Sequence, residues 1–348
     1  MPGSKSILPA LALLVFLLTA CNGPALNSAP LSAVSFNGST PLAPLYQVPP
    51  NATPTATPFQ PLPPTPVYQP LEFPTATPLA TPVEQPQGPV APVGRLEGPN
   101  DQVNILLLGS DARPRSTIFR TDTIILVSLN PSLGTVNMVS FPRDLYVNIP
   151  GWGMDRINTA WARGGFSKLA ATFDHNFGVE PEHYVLINFS SFKQIIDSLG
   201  GLNVDVGTPL TDYYRGRQIT LSRGETRMNA DMVLWYVRSR KTSNDFARNR
   251  RQQEVIQALA AKLLSLDAIR RAPELYAIYS DSVSTDMRLA DMLPFLPLAA
   301  QLYDTSRINQ YYISPKEVYN WITPGGAMVL VPDKDAVVKV VRKALSGK

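Results

Sequence analysis

From Val103 onward, short apolar runs alternate with segments of helical period. Val103 to Gly109 (VNILLLG) is a continuous apolar run closed by glycine, the pattern of a strand buried on both faces. Thr123 to Leu129 and Thr135 to Phe141 repeat that pattern. Asn130 to Gly134 supplies a turn between them, and Pro142 ends the third run. Leu145 to Ile149 reads as a short fourth strand. Helices are predicted over 155–163 and 167–177, the second closed by Gly178 as a C-cap. A strand over 183–188, a helix from Ser190 to Leu199, and a strand over 202–206 follow. Further helices are expected over 229–236, 245–266, near 273–281 and near 288–303. Strands are expected near 308–313 and 327–331, with Asp333 capping a terminal helix. Strands alternating with helices predict a layered α/β domain.

The first hundred residues follow a different pattern. Lys5 precedes twelve residues, Ile7 to Leu18, that are apolar except for Pro9. This run is short of the roughly twenty residues that cross a bilayer, and it fits the apolar part of an export signal. Leu18-Thr19-Ala20-Cys21 then has the form of a bacterial lipobox, which makes Cys21 the expected site of lipidation; an ordinary secretory signal, or a short uncleaved anchor, with an incidental cysteine is the alternative. Of the chain's 34 prolines, 20 fall between Cys21 and Pro99, among repeated Ala/Thr-Pro units. Such a segment buries too little apolar surface to offset chain entropy. The expected organisation is a signal peptide over 1–20 and a disordered tether over 21–98. A catalytic domain over 99–268 follows, and then helices and a strand over 269–348 that pack on or extend it.

Composition narrows the chemistry. Cys21 is the only cysteine and His175 and His183 are the only histidines, which excludes a CxxC site and a histidine-rich zinc site. The chain carries a net charge of +4. A basic folded part calls for an anionic partner, and export removes nucleic acid from the choices, leaving a membrane surface or a phosphorylated substrate.

Charged residues gather where predicted elements end, the usual place for binding chemistry in α/β sheets. Asp111 and Arg113 follow the first strand, and Arg120 and Asp122 precede the second. If these strands are antiparallel neighbours, the two carboxylates approach and suit a hard cation such as Mg²⁺. Alternatively, each aspartate caps a loop or pairs with Arg113 or Arg120. Arg143 and Asp144 follow the third strand, as an anion contact or as a plain surface pair. Arg238, Arg240, Arg248, Arg250 and Arg251 crowd into fourteen residues. Asp245, Arg248 and Gln252 share one helix face. Planar guanidiniums at a helix N-terminus suit phosphate oxygens, and a solvated charged helix is the alternative.

Six ordered segments resemble the LytR-CpsA-Psr family of cell-wall enzymes: NILLLGSD, RTDT, SFPRDLYVNIPG with RIN at 156–158, FKQIIDSLGGLNVD, LWYVRSR and DFARNRRQQ. The resemblance spans about residues 104 to 264. It implies a three-layer α/β/α sandwich around a mixed sheet, and transfer of a glycan phosphate from a polyprenyl-pyrophosphate carrier onto peptidoglycan. By the same resemblance Asp111 and Asp122 would hold Mg²⁺, and Arg120, Arg143, Arg238, Arg240, Arg248 and Gln252 would bind pyrophosphate. Arg143, Arg240 and Asp245 would be catalytic, Asp245 as base or as an orienting group. The carrier's chain would lie in an apolar tunnel, near which Phe189, Phe192, Ile195, Ile196 and Leu199 fall, although core packing is the simpler role for each. The implied location is the extracytoplasmic face of the membrane, anchored through acylated Cys21. Two alternatives remain: a non-catalytic binder of polyprenyl or sugar pyrophosphates, and a pyrophosphatase acting on the carrier.

Overall fold

The computed structural model describes residues 91–110, 120–240, 244–265 and 270–346. Cys21, Asp111 and Arg113 lie outside the described residues, as do the predicted signal segment and nearly all of the predicted tether.

The apolar runs form a mixed six-stranded sheet. β1 (Val103–Ser110), β2 (Thr121–Asn130) and β3 (Thr135–Phe141) are consecutive antiparallel neighbours at its centre. β4 (Tyr146–Ile149) and β5 (Gly153–Arg156) form a separate hairpin. β6 (His183–Asn188) lies parallel to β1 on its other side. Most of these strands alternate between two buried faces. Leu106, Leu108, Ile124, Leu126, Val139 and Phe141 point to one face, where α1 (Ala160–Phe177) packs. Phe141, Phe173 and Phe177 form its aromatic centre, with ring centroids 4.8 to 5.3 Å apart. Ile125, Val136 and Met138 point to the other face.

That second face is covered by a group of helices. α2 (Phe189–Ser198), the strands β7 (Leu202–Val206), β8 (Leu210–Tyr214), β9 (Arg217–Leu221) and β10 (Gly224–Met228), and α3 (Ala230–Arg238) build a satellite core. α4 (Asp245–Leu263) joins the two layers. Val255 faces the satellite core, and Ile256 and Ala260 face the sheet. Gln253 is fully buried, and its amide donates to Ser140 Oγ at 2.7 Å and to the Tyr311 carbonyl at 2.9 Å.

The last eighty residues complete the sheet. After α5 (Ala272–Ser282), β11 (Val283–Thr285) pairs with β6 as one edge. β12 (Ile308–Tyr312) pairs in parallel with β3 as the other. β13 (Val318–Ile322) and β14 (Met328–Pro332) form a hairpin, and α6 (Lys334–Ser346) returns beside α1. Together these pieces make the expected α/β/α sandwich.

Two local predictions differ. Residues 153–156 are a strand, because the turn after Ile149 folds Asp155 back against Val147. The two helices predicted over 155–177 become one that starts at Ala160 and is interrupted at Gly164 and Gly165. Gly165 has φ 61° and ψ −149°, a region open essentially to glycine alone. Gly178 closes α1 in the left-handed conformation, as the sequence predicts.

Asn137 ties the C-terminal part to the sheet. It is fully buried, donates to the Ala344 carbonyl at 2.6 Å and accepts from the Asn309 amide at 2.8 Å. Replacing Asn137 with Ala leaves both partners unmet in the interior, at an expected cost of about 2 kcal/mol. Urea unfolding will read that loss, and amide exchange will accelerate first in α6. A loss under about 0.5 kcal/mol would mean that packing alone holds α6 in place.

Candidate functional site

The antiparallel order of the three central strands sets the site. The end of β1, the start of β2 and the end of β3 lie at one end of the sheet, with Ser110 opposite Thr121 and Ile124 opposite Phe141. Asp122 is the second residue of β2. Pro142 stops β3, and Arg143 and Asp144 follow in the bend. Asn244 caps α4 by accepting from Ala247 N at 2.9 Å, which brings Asp245 and Arg248 in the first turn to the same place.

These side chains form one ion-pair network. Arg143 Nη1 donates to Asp122 Oδ1 at 2.7 Å, and its Nε lies 3.3 Å from Asp144 and 3.7 Å from Asp245. Arg240 Nη2 is 2.7 Å from Asp245 Oδ1, and Arg248 Nη2 is 3.1 Å from Asp245 Oδ2. Arg156, at the end of β5, reaches Asp144 at 3.3 Å. Among the described residues, four guanidiniums therefore share three carboxylates, leaving positive charge in excess.

Burial sharpens that excess. Arg248 is only 5% exposed. Desolvation pulls its pKa down. Asp245 opposes that effect, while neighbouring Arg143 and Arg240 add to it. Burial also works against Arg143, but its hydrogen bond to Asp122 and the charges of Asp122, Asp144 and Asp245 outweigh it and raise its pKa. Four buried polar atoms here have no hydrogen-bond partner among the described residues: Thr121 Oγ1, Arg156 Nε, Arg248 Nε and Asp245 Oδ1. The 2.7 Å approach of Arg240 to Asp245 Oδ1 is an ion pair that is not aligned as a hydrogen bond. Unmet buried groups cost about 1–3 kcal/mol each. An oxygen-rich anion would satisfy Arg248.

The predicted residues divide into two sets. Asp122, Arg143, Arg240, Asp245 and Arg248 come together, and Gln252 is buried one turn beyond Arg248. Arg120 is exposed just before β2 and makes no ion pair with the described residues. Arg238 stacks over the Phe189 ring at 4.4 Å. With Arg240, Asp212 and Trp235 it lines a neighbouring cleft of about 570 Å³. Of the five crowded arginines, Arg251 is a structural fastener that donates to the Tyr236 carbonyl at 2.9 Å and to the Ser239 carbonyl at 2.5 Å. Arg250 is exposed beside Tyr312. Ile196 and Leu199 are core residues, with Phe192 and Ile195 packed against them. Arg156, Asp144 and Thr121 belong to the site but escape the sequence reading of single roles. Only the order of the RIN and SFPRD segments hinted at the first two.

For a hard cation, the described residues supply Asp122, an oxygen ligand that uses one oxygen on Arg143. Mg²⁺ is commonly held by one or two carboxylates, with waters and substrate phosphates completing its shell, so this donor set fits it.

Comparisons with known proteins bear on the family and the fold. Polyisoprenyl-teichoic acid–peptidoglycan teichoic acid transferase TagU of Oceanobacillus iheyensis is 36% identical over 204 residues, 56% of this chain and 62% of its own length. The chain thus spans less than two thirds of that relative. The crystal structure of B. subtilis TagV superposes with a TM-score of 0.59 at 28% identity, covering 70% of this chain and 95% of TagV. TagT bound to LIIa-WTA gives 0.57 at 26% identity, covering 73% and 94%. The profile of the LytR_cpsA_psr family matches residues 80–345. With that match and the shared fold, the chain belongs to the LytR_cpsA_psr family.

Proposed function

We propose that this protein transfers a glycan phosphate from a polyprenyl-pyrophosphate carrier to a hydroxyl of peptidoglycan, at the outer face of a bacterial membrane to which acylated Cys21 anchors it. The observation that carries the reading is the buried Arg248, unmet at Nε and set beside Arg143 and Arg240. Such a cluster is costly without an anion and suits the two phosphates of a pyrophosphate. The TagU relative's name describes the same transfer for teichoic acid, and the TagT structure has TagT bound to LIIa-WTA.

In this reading Arg143, Arg240 and Arg248 bind the pyrophosphate, with Arg120 and Arg238 at the rim and Gln252 beneath Arg248. The acceptor hydroxyl oxygen attacks the phosphorus that carries the glycan. The bond from that phosphorus to the bridging oxygen breaks, and prenyl phosphate departs with the electron pair. The hydroxyl proton passes to the departing phosphate. The arginines lie where charge builds up, so they stabilise the transition state more than the ground state. Asp245 contacts all three guanidiniums and acts as their positioning residue. Mg²⁺ held by Asp122 and Asp111 would neutralise phosphate charge when bound.

Replacing Arg143 or Arg240 with Ala is expected to lower transfer about 10²–10³-fold. The assay is mass spectrometry of products from a prenyl-pyrophosphoryl glycan and Mg²⁺, with and without a muropeptide. Phosphate products without muropeptide would mark a pyrophosphatase, and binding without turnover would mark a carrier-binding protein.

Asp245→Asn is expected to reduce kcat while keeping the shape of the pH–rate profile. Loss of the acidic limb would instead make Asp245 the general base. Asp122→Asn is expected to raise the Mg²⁺ concentration needed for half-maximal rate. An unchanged requirement removes Asp122 from the metal site.

A further inference from the structure

The β13–β14 hairpin carries no charged residue over 318–332, a stretch that includes Tyr319, Trp321, Ile322, Pro324 and Met328. Ile322 and Met328 are paired across the hairpin at its tip, and they are 63% and 65% exposed. Opposed exposed apolar side chains on a charge-free tip cost free energy in water and call for an apolar partner.

The tip sits beside the arginine network. Arg156 Nη2 donates to the Met328 carbonyl at 2.7 Å, and Leu330 N donates to the Asp144 carbonyl at 3.0 Å. Trp321 packs on Tyr146 with ring centroids 5.5 Å apart, so the hairpin is braced against β4. The chain preceding β1 is fixed at the other end of the sheet. Val93 N donates to the His175 carbonyl and Leu96 N to the Gly178 carbonyl, near the start of β1. An attachment through that chain alone does not aim the arginines at a membrane.

We infer that the β13–β14 tip docks into the membrane interface, with Ile322 and Met328 entering the acyl boundary and Tyr319 and Trp321 at headgroup level. This sets the arginine cluster over phosphate-bearing headgroups. An apolar tip flanked by aromatic residues and backed by cations is the pattern of an interfacial anchor. The occupant is a lipid surface and not a protein groove, because the same end of the domain carries the excess positive charge that phosphate headgroups match. The inference rests on the proposed reading only in naming why the site should face lipid.

The test places a fluorophore at Ile322→Cys in the full chain with Cys21→Ser, reconstituted with vesicles of phosphatidylglycerol and phosphatidylcholine that carry spin-labelled acyl chains. A control chain carries the label at Tyr303→Cys, 78% exposed in the segment leading to Ile308, which pairs with Val136 at the end of β3 opposite the site. The expected result is strong quenching at 322 and none at 303. Equal quenching at both positions, no quenching at 322, or crosslinking of position 322 to a protein instead of lipid overturns the inference. A second measurement compares Ile322→Asp with the unaltered chain. Transfer from a carrier embedded in vesicles is expected to fall about ten-fold or more, the cost of losing one buried large apolar side chain and inserting a charge. Transfer from a water-soluble short-chain carrier is expected to stay within about two-fold. Equal loss on both carriers also overturns it. Quenching reads lipid contact whether or not the chain is a transferase, so failure of the docking and failure of the proposed activity remain distinguishable.

Discussion

Asp245 holds together three guanidiniums that would otherwise repel one another. Arg143 comes from the bend after β3, Arg240 from beyond α3, and Arg248 from α4. At an effective dielectric constant near 20, two like charges 4 Å apart repel by about 4 kcal/mol. A single carboxylate within reach of all three offsets much of that, but three cations facing one anion still leave an excess. Asp122 and Asp144 take up part of it through Arg143. What remains is buried with Arg248, where water cannot screen it. The site is therefore under an electrostatic tension that an oxygen-rich anion would relieve.

The rest of the fold makes this possible by rigid means. The antiparallel centre of the sheet brings the start of β2 and the end of β3 together, and Gln253 pins α4 to β3 and β12 one and a half turns beyond Arg248. Arg251 fastens α4 to the end of α3 through two backbone carbonyls, which fixes Arg240 relative to Asp245. The edge strands β11 and β12 come from the last eighty residues, so the site's scaffold is complete only when the C-terminal part has folded. Preorganisation of this kind spares the reorganisation cost that flexible arginines would incur on binding.

Much of this was legible in the chain, for physical reasons. Continuous apolar runs ended by Gly109 and Pro142 mark buried strands and their ends, and charged residues just past those ends are placed by the strands themselves. The reading failed where a side chain's direction depends on tertiary packing. Arg250 and Arg251 sit in the same crowded segment as Arg248, yet one faces solvent and the other is buried against carbonyl oxygens. Residue spacing gives the helix face but not what lies opposite it. Arg156 was missed because β5 was read as helix. Its approach to Asp144 depends on a hairpin whose turn, Pro150-Gly151-Trp152, lies outside both apolar runs. The hairpin strand over 318–322 was missed because two-stranded pairing outside the main sheet leaves only a weak alternation.

The length of chain before β1 also takes on a geometric role. That chain is fixed near the start of β1, and the arginines lie at the opposite end. Eight strand residues at about 3.4 Å each separate the two ends by roughly 27 Å. A domain attached near its own surface by a short chain would hold its site away from the lipid. To turn the site end toward the bilayer, the preceding chain must reach past the whole length of the sheet, which takes at least eight to ten residues at about 3.3–3.6 Å each. The residues between Cys21 and Val93 exceed that several-fold. In the proposed reading a long attachment and a membrane-borne substrate are therefore compatible, since extra length would let the domain invert, while the inferred contact at the site end would decide which way it faces.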